Sequence, residues 1–144
     1  MRYMIALLAI AGIVVSVLAL RVHYSSDTAP CSINEKWDCG VVNRSPYAEI
    51  GGVPVAAIGV AGYLFIAVLA LLRRRGWVLA VVAVGLAFAL YLTHIEKDVL
   101  GVWCLYCVIS QGIIALIMLL AIGWFVWAIY FKRDELAGMP KLRE

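Results

Sequence analysis

Cys31 and Cys39 frame the polar stretch CSINEKWDC, and Cys104 and Cys107 stand closer together in WCLYC; these are the chain's four cysteines. Paired thiols can form a static disulfide, a metal clamp or a redox couple. Positions three apart on a helix of 3.6 residues per turn lie on nearly the same face, so Cys104 and Cys107 at a helix start can bond to each other. The unpaired amides and the dipole at such a start favour a thiolate. A thiolate attacks disulfides, and a neighbour one turn deeper resolves the mixed disulfide. Cys31 and Cys39 lie across a loop that can fold back on itself, so they can close a ring that is either a staple or the first station of a relay. Thiols on a mobile loop could exchange with a soluble partner and then with the helix-borne pair, two electrons at each step.

The elements that must position these thiols are read from where charge is missing. The chain is 65% hydrophobic and 15% charged, against about 45–50% and 25% in a soluble domain, so it belongs in a membrane. Crossing the hydrocarbon takes roughly 20 apolar residues. Four helices are expected, at about 3–20, 53–72, 77–93 and 104–131, the last with its membrane segment starting at Val108. The fold class is therefore an all-α integral membrane protein: a four-transmembrane-helix bundle, one domain over 1–144, with an outer redox loop at 25–52. The first run follows a basic Arg2, as a signal peptide does, but it exceeds the roughly 7–15 apolar residues of a signal core and lacks a small-residue cleavage site, so it is read as a helix.

Lysine and arginine set the orientation, because positive loops stay in the cytoplasm. Arg73, Arg74 and Arg75 make up most of the second connection, Lys132, Arg133, Lys141 and Arg143 lie in the tail, and Arg2 marks the start. The other two connections mix Lys36, Arg44 and Lys97 with Asp27, Glu35, Asp38, Glu49, Glu96 and Asp98. Both termini are predicted inside, which puts all four cysteines outside, where disulfides persist. Within the loop, NRSPYAEIGGVP reads as a short lid helix with Ser45 as N-cap and Pro46 at its first position, ended by Gly51 and Gly52.

The cysteine order, the serine six residues after the second cysteine, and the passages SPYAEIGGVPVAAIGVAGY and YLTHIEKDVLGVWCLYC resemble the vitamin K epoxide reductase family, particularly its prokaryotic members. The resemblance runs from Cys31 to about Gly112. Disulfide-forming quinone reductases of the DsbB type carry the CxxC pair first, the reverse of the order here. The resemblance implies a four-helix bundle holding a quinone beside the deeper cysteine. Cys31 then faces an external thiol partner, Cys39 passes electrons to Cys104, and Cys107 reduces the quinone. Ser45 matches the family's loop serine. Tyr91 and Leu92 resemble part of the quinone-pocket wall, with Val55, Ile58 and Gly59 opposite. Val55 stands where animal members have a quinone-contacting asparagine, and Gln111 where they have a tyrosine. The implied electron acceptor is therefore ubiquinone or menaquinone rather than vitamin K epoxide. Many prokaryotic members carry a fused thioredoxin-like domain; here the partner is expected to be a separate thioredoxin-fold protein. The setting implied is a prokaryotic cytoplasmic membrane, with the cysteines on the periplasmic side.

The residues support such chemistry without the family. An apolar bundle interior suits a lipid-soluble ring. Phe65, Phe88, Tyr91 and Trp103 could wall it, although aromatic side chains are more often packing or interface anchors. Gln111, one turn below Cys107, could reach a quinone oxygen or bond another helix. Glu96 could move protons during quinone reduction, or be a solvated helix-end charge. At rest we expect Cys31 bonded to Cys39 and Cys104 to Cys107, with a transient Cys39–Cys104 bridge. The rival reading is a zinc or copper site of the four cysteines with His23 or His94. The C-x7-C spacing is wide for a zinc clamp, and an oxidising compartment disfavours free thiols, so no metal is expected. A transporter would want ionisable groups at mid-membrane, which the spans almost lack. Nucleic acid is not an expected partner.

Overall fold

The computed structural model describes residues 1–26 and 31–138. Asp27 of the outer loop, and Lys141 and Arg143 of the tail, lie outside the described residues. In chain order the helices are α1 (Arg2–Tyr24), α2 (Cys39–Asn43), α3 (Val55–Leu71), α4 (Arg75–Ile95) and α5 (Leu105–Gly138). Among the described residues, three stretches are long and apolar enough to cross a membrane: α1, Arg75–Leu100 and Leu105–Arg133. With α3 as a shorter apolar helix, they form a helical membrane bundle. The 17 residues of α3 rise about 26 Å, slightly less than a hydrocarbon core of roughly 30 Å.

Helix α1 packs on α3 and α5, and α4 packs on α5 and α3, which closes a ring. The buried seam runs through Ile5, Tyr63, Ile66, Val78, Val82, Ile117 and Trp124. Leu7, Val14, Leu64, Val84 and Leu119 point outward, as helices that are apolar all round do when lipid surrounds them. Close approach of α1 to α3 depends on Gly12, where a Cβ would sit 2.5 Å from Cε1 of Tyr63. A small residue at a helix crossing is how membrane helices gain packing contact.

Several boundaries differ from the sequence reading, each for a local reason. Helix α3 begins at Val55 rather than 53, because Val53 and Pro54 form strand β2, paired antiparallel with β1 (Glu49–Ile50). Gly51 and Gly52, at φ 60° and 82°, make the tight turn between them, a conformation that costs glycine little. The expected lid helix is not formed. Pro46–Ala48 is a single 3-10 turn leading into the hairpin, and Ser45 turns its hydroxyl back to donate to the Val42 carbonyl at 2.8 Å instead of capping amides ahead of it. The helix in this loop is α2, started by Asp38, whose carboxylate accepts from the amides of Gly40 at 2.8 Å and Val41 at 3.3 Å. Beyond Ile95, α4 continues as a π-helical turn, Glu96–Leu100, stopped by Gly101 at φ 64°.

Candidate active site

Two backbone hydrogen bonds stitch the outer loop onto the segment before α5: Asp38 N–H donates to Trp103 O at 3.1 Å, and Trp103 N–H to Lys36 O at 2.8 Å. The Trp37 and Trp103 rings pack beside them, 6.3 Å apart. This docking, with Asp38 starting α2 at Cys39, brings the two cysteine pairs together. Cys31 and Cys39 are disulfide-bonded, with Cα atoms 5.6 Å apart, whereas Cys104 and Cys107 are free thiols. Cys104 Sγ lies 3.3 Å from Cys39 Sγ, and all three sulfurs of Cys31, Cys39 and Cys104 are fully enclosed. The expected resting bond between Cys104 and Cys107 is therefore not the one present; this arrangement has an oxidised loop and a reduced CxxC.

Two N–H groups point at the Cys104 sulfur, the Cys107 amide at 3.3 Å and Asn43 Nδ2 at 3.4 Å. The Cys104 thiol is held below its ordinary pKa, first by a hydrogen bond from the Cys107 side chain, with the Cys107 and Asn43 amides adding to it, against the opposing effects of burial and the Glu96 charge. A sulfur biased toward thiolate and seated against a disulfide sulfur is arranged for thiol–disulfide exchange. Asn43 is itself fixed by donating to the Cys39 carbonyl at 2.9 Å, and its own carbonyl meets His23 Nδ1. His23 Nε2 reaches Glu49 at 3.1 Å, and His94 pairs with Asp98 at 2.6 Å. Neither histidine joins the sulfur cluster, whose three atoms lie within 4.8 Å of one another.

Below the sulfurs, a cavity of about 450 Å³ opens between the helices, within the range of roughly 300–1,000 Å³ typical of small-molecule sites. Cys107 lines it. So do Val55, Ile58 and Gly59 on α3, Phe88 and Leu92 on α4, Gln111 on α5, and Ser45 at the loop rim. Tyr91 does not: it is 59% exposed on the outer face of α4, because a step of one residue turns a helix by about 100° away from Leu92. Phe65 likewise faces outward at 50% exposure, and Trp103 packs on Trp37. Gln111 spends its side-chain oxygen on the Thr93 hydroxyl, and the Tyr63 hydroxyl meets Ser110 O at 2.7 Å and Oγ at 2.9 Å. The wall is thus apolar with a few polar groups, the pattern of a small-molecule site.

Sequence reading did not single out Asn43. It is one residue of a polar loop, and its amide finds Cys104 only through a contact spanning 61 positions. The signal for Glu96 was weak for a related reason: a helix-end carboxylate looks solvated until the π turn buries it to 3% exposure. Residues 3–130 match the family model described as the vitamin K epoxide reductase family. That match, covering most of the chain and both cysteine pairs, makes the chain a membrane oxidoreductase acting on thiols and disulfides, in a family that generally uses quinones as electron acceptors: the chain belongs to the vitamin K epoxide reductase family.

Proposed function

We propose that this protein generates disulfides by passing electrons from a separate, reduced thioredoxin-fold protein to a membrane quinone. Cys31 exchanges with the partner, Cys39 hands the electrons to Cys104, and Cys107 delivers them to the quinone in the cavity. The observation that carries the reading is the unbroken sequence of sulfurs: a Cys31–Cys39 disulfide, Cys104 at 3.3 Å from Cys39, and Cys107 on the wall of an apolar cavity. In this scheme the reduced thiolate of Cys39 attacks the Cys104–Cys107 disulfide, the mixed Cys39–Cys104 disulfide is resolved by Cys31, and Cys107 is left as a thiol. An oxidised loop above a reduced CxxC is the state that follows, ready to reduce a quinone. The quinone-lining residues are Val55, Ile58, Gly59, Phe88, Leu92 and Gln111, with Ser45 ordering the loop. With Val55 and Gln111 where animal members have polar contacts, ubiquinone or menaquinone is the substrate.

The same reading takes 1–144 as one domain that spans the membrane four times, α3 included, with termini in the cytoplasm and the cysteines on the periplasmic face of a prokaryotic inner membrane. The Arg73–Arg75 run supports that orientation. The test uses detergent-purified protein mixed with a reduced thioredoxin-fold protein and a soluble quinone, following quinone absorbance, with Cys107→Ala as control. Quinone loss that requires Cys107 is the expected result; no loss with any quinone defeats the reading. The cluster of Cys31, Cys39 and Cys104 favours one alternative, a metal site in the reduced protein. Stoichiometric zinc by elemental analysis, together with no turnover, would move the thiols to that role.

A further inference from the structure

Reduction of a quinone by a dithiol moves two protons as well as two electrons, and the cavity must supply a route for them. Glu96 is 3% exposed and lines the same cavity as Cys107. Its Oε2 accepts a hydrogen bond from the Cys104 amide at 3.1 Å, and its carboxyl and the Cys107 thiol interact on the wall of the same cavity. Among the described residues no lysine, arginine or histidine forms an ion pair with it. A buried carboxylate with no cation is costly, and such groups relieve that cost by binding a proton. The π turn is what turns Glu96 inward, while Lys97, Asp98 and Val99 beside it stay exposed.

We propose that Glu96 carries the proton of the quinone-reducing step: its carboxylate takes the Cys107 Sγ proton and returns it, inside the cavity, to an oxygen of the reduced quinone. This rests on the quinone reading above. Both thiols lose their protons as the Cys104–Cys107 bond forms, and the quinone gains the two electrons. One proton reaches it through Glu96, and the other, from Cys104, through solvent. The titratable groups facing Glu96 from the neighbouring elements are Cys104 and Cys107. Tyr47, Tyr63 and Tyr106 line the same cavity. On its own helix, His94 and Asp98 are paired with each other, and Lys97 is exposed.

The competing role is purely structural, an acceptor that caps the Cys104 amide. Glu96→Gln separates the two, since the amide oxygen still accepts that hydrogen bond but cannot take a proton. Pre-reduced protein is mixed with a soluble quinone in single turnover across a pH series. The expected loss in Glu96→Gln is on the order of 100-fold at neutral pH, the scale of a general base. Its rate should then climb about tenfold per pH unit as external base takes over, while the wild type stays level above the Glu96 titration. Glu96→Asp keeps a base: its profile should stay level even if its rate falls, and a climbing profile there would overturn the proposal. So would a Glu96→Gln rate equal to wild type while Cys107→Ala is dead. A wild type that reduces no quinone overturns the quinone reading and this inference with it.

Discussion

The Cys104 sulfur is the residue on which exchange turns, and its environment sets a pH dependence. Because the Cys107 side chain, the Cys107 amide and Asn43 together hold its thiol below the ordinary value, more of it is thiolate at neutral pH than of a free cysteine. The sign follows: the interactions favouring the thiolate contribute above the ordinary thiol pKa and are lost as pH falls through the lowered one. Exchange with the loop should therefore persist below the pH at which a free thiol stops reacting, then fail. Asn43→Leu removes one donor to the sulfur, so the pH dependence of its exchange with Cys39 should move to higher pH. Exchange at neutral pH should slow by roughly tenfold, since a hydrogen bond to a charged group contributes about 1.5–3 kcal/mol. The rate of Cys39–Cys104 mixed-disulfide formation across a pH series, in a Cys31→Ala, Cys107→Ala background, reads both, and an unmoved curve would remove Asn43 from the account.

At the scale of elements, two contacts position the chemistry. Asp38 starts α2 and so places Cys39; its carboxyl is held below the usual range by the Ser32 hydroxyl and then by the Val41 and Gly40 amides, against some burial. That cap contributes fully above the ordinary carboxylate pKa and is lost as pH falls through the lowered one. Ser32→Ala should bring its loss to a higher pH. Asp38→Ala should cost about 1 kcal/mol of local stability and reduce the yield of a Cys39–Cys104 mixed disulfide trapped in a Cys31→Ala, Cys107→Ala background. The second contact is the seam of α1 on α3. At Gly12 an added methyl meets the Tyr63 ring, whereas at Gly62 it meets nothing within 4 Å. Gly12→Ala should cost about 1–3 kcal/mol, seen as a lower Tm in detergent. Gly62→Ala should melt near wild type, and equal melting of the two would mean that the seam yields without strain.

For the whole molecule, the testable property is orientation. With the native cysteines replaced, a thiol introduced by Glu35→Cys should react with an impermeant maleimide in intact spheroplasts. One introduced by Arg74→Cys should react only after permeabilisation. Labelling of both from one side would mean that α3 does not cross, which its length brings into question: it is shorter than its neighbours because the Gly51–Gly52 hairpin takes residues from its start and Arg73, at φ 57°, ends it. A tilt among the packed helices matters less for a short helix, and thinning of the bilayer or snorkelling of Arg73–Arg75 can accommodate the difference.

Membrane residence, the apolar runs and the two cysteine pairs were all determined by the sequence alone, because hydrophobic length and thiol spacing are local properties that a bilayer and a disulfide read directly. The family resemblance rested on equally local passages. What only the tertiary structure decided depends on contacts between distant residues or on a single turn of a helix. Cys39 meets Cys104 because Lys36 and Asp38 bond to Trp103. Asn43 reaches a sulfur 61 positions away. Tyr91 leaves the cavity while Leu92 stays, since neighbours on a helix point in different directions. Glu96 turns inward because a π turn, which periodicity does not announce, rotates the end of α4. The order of the sulfurs was written along the chain; the distances between them, and the carboxylate beside the last, arose from folding.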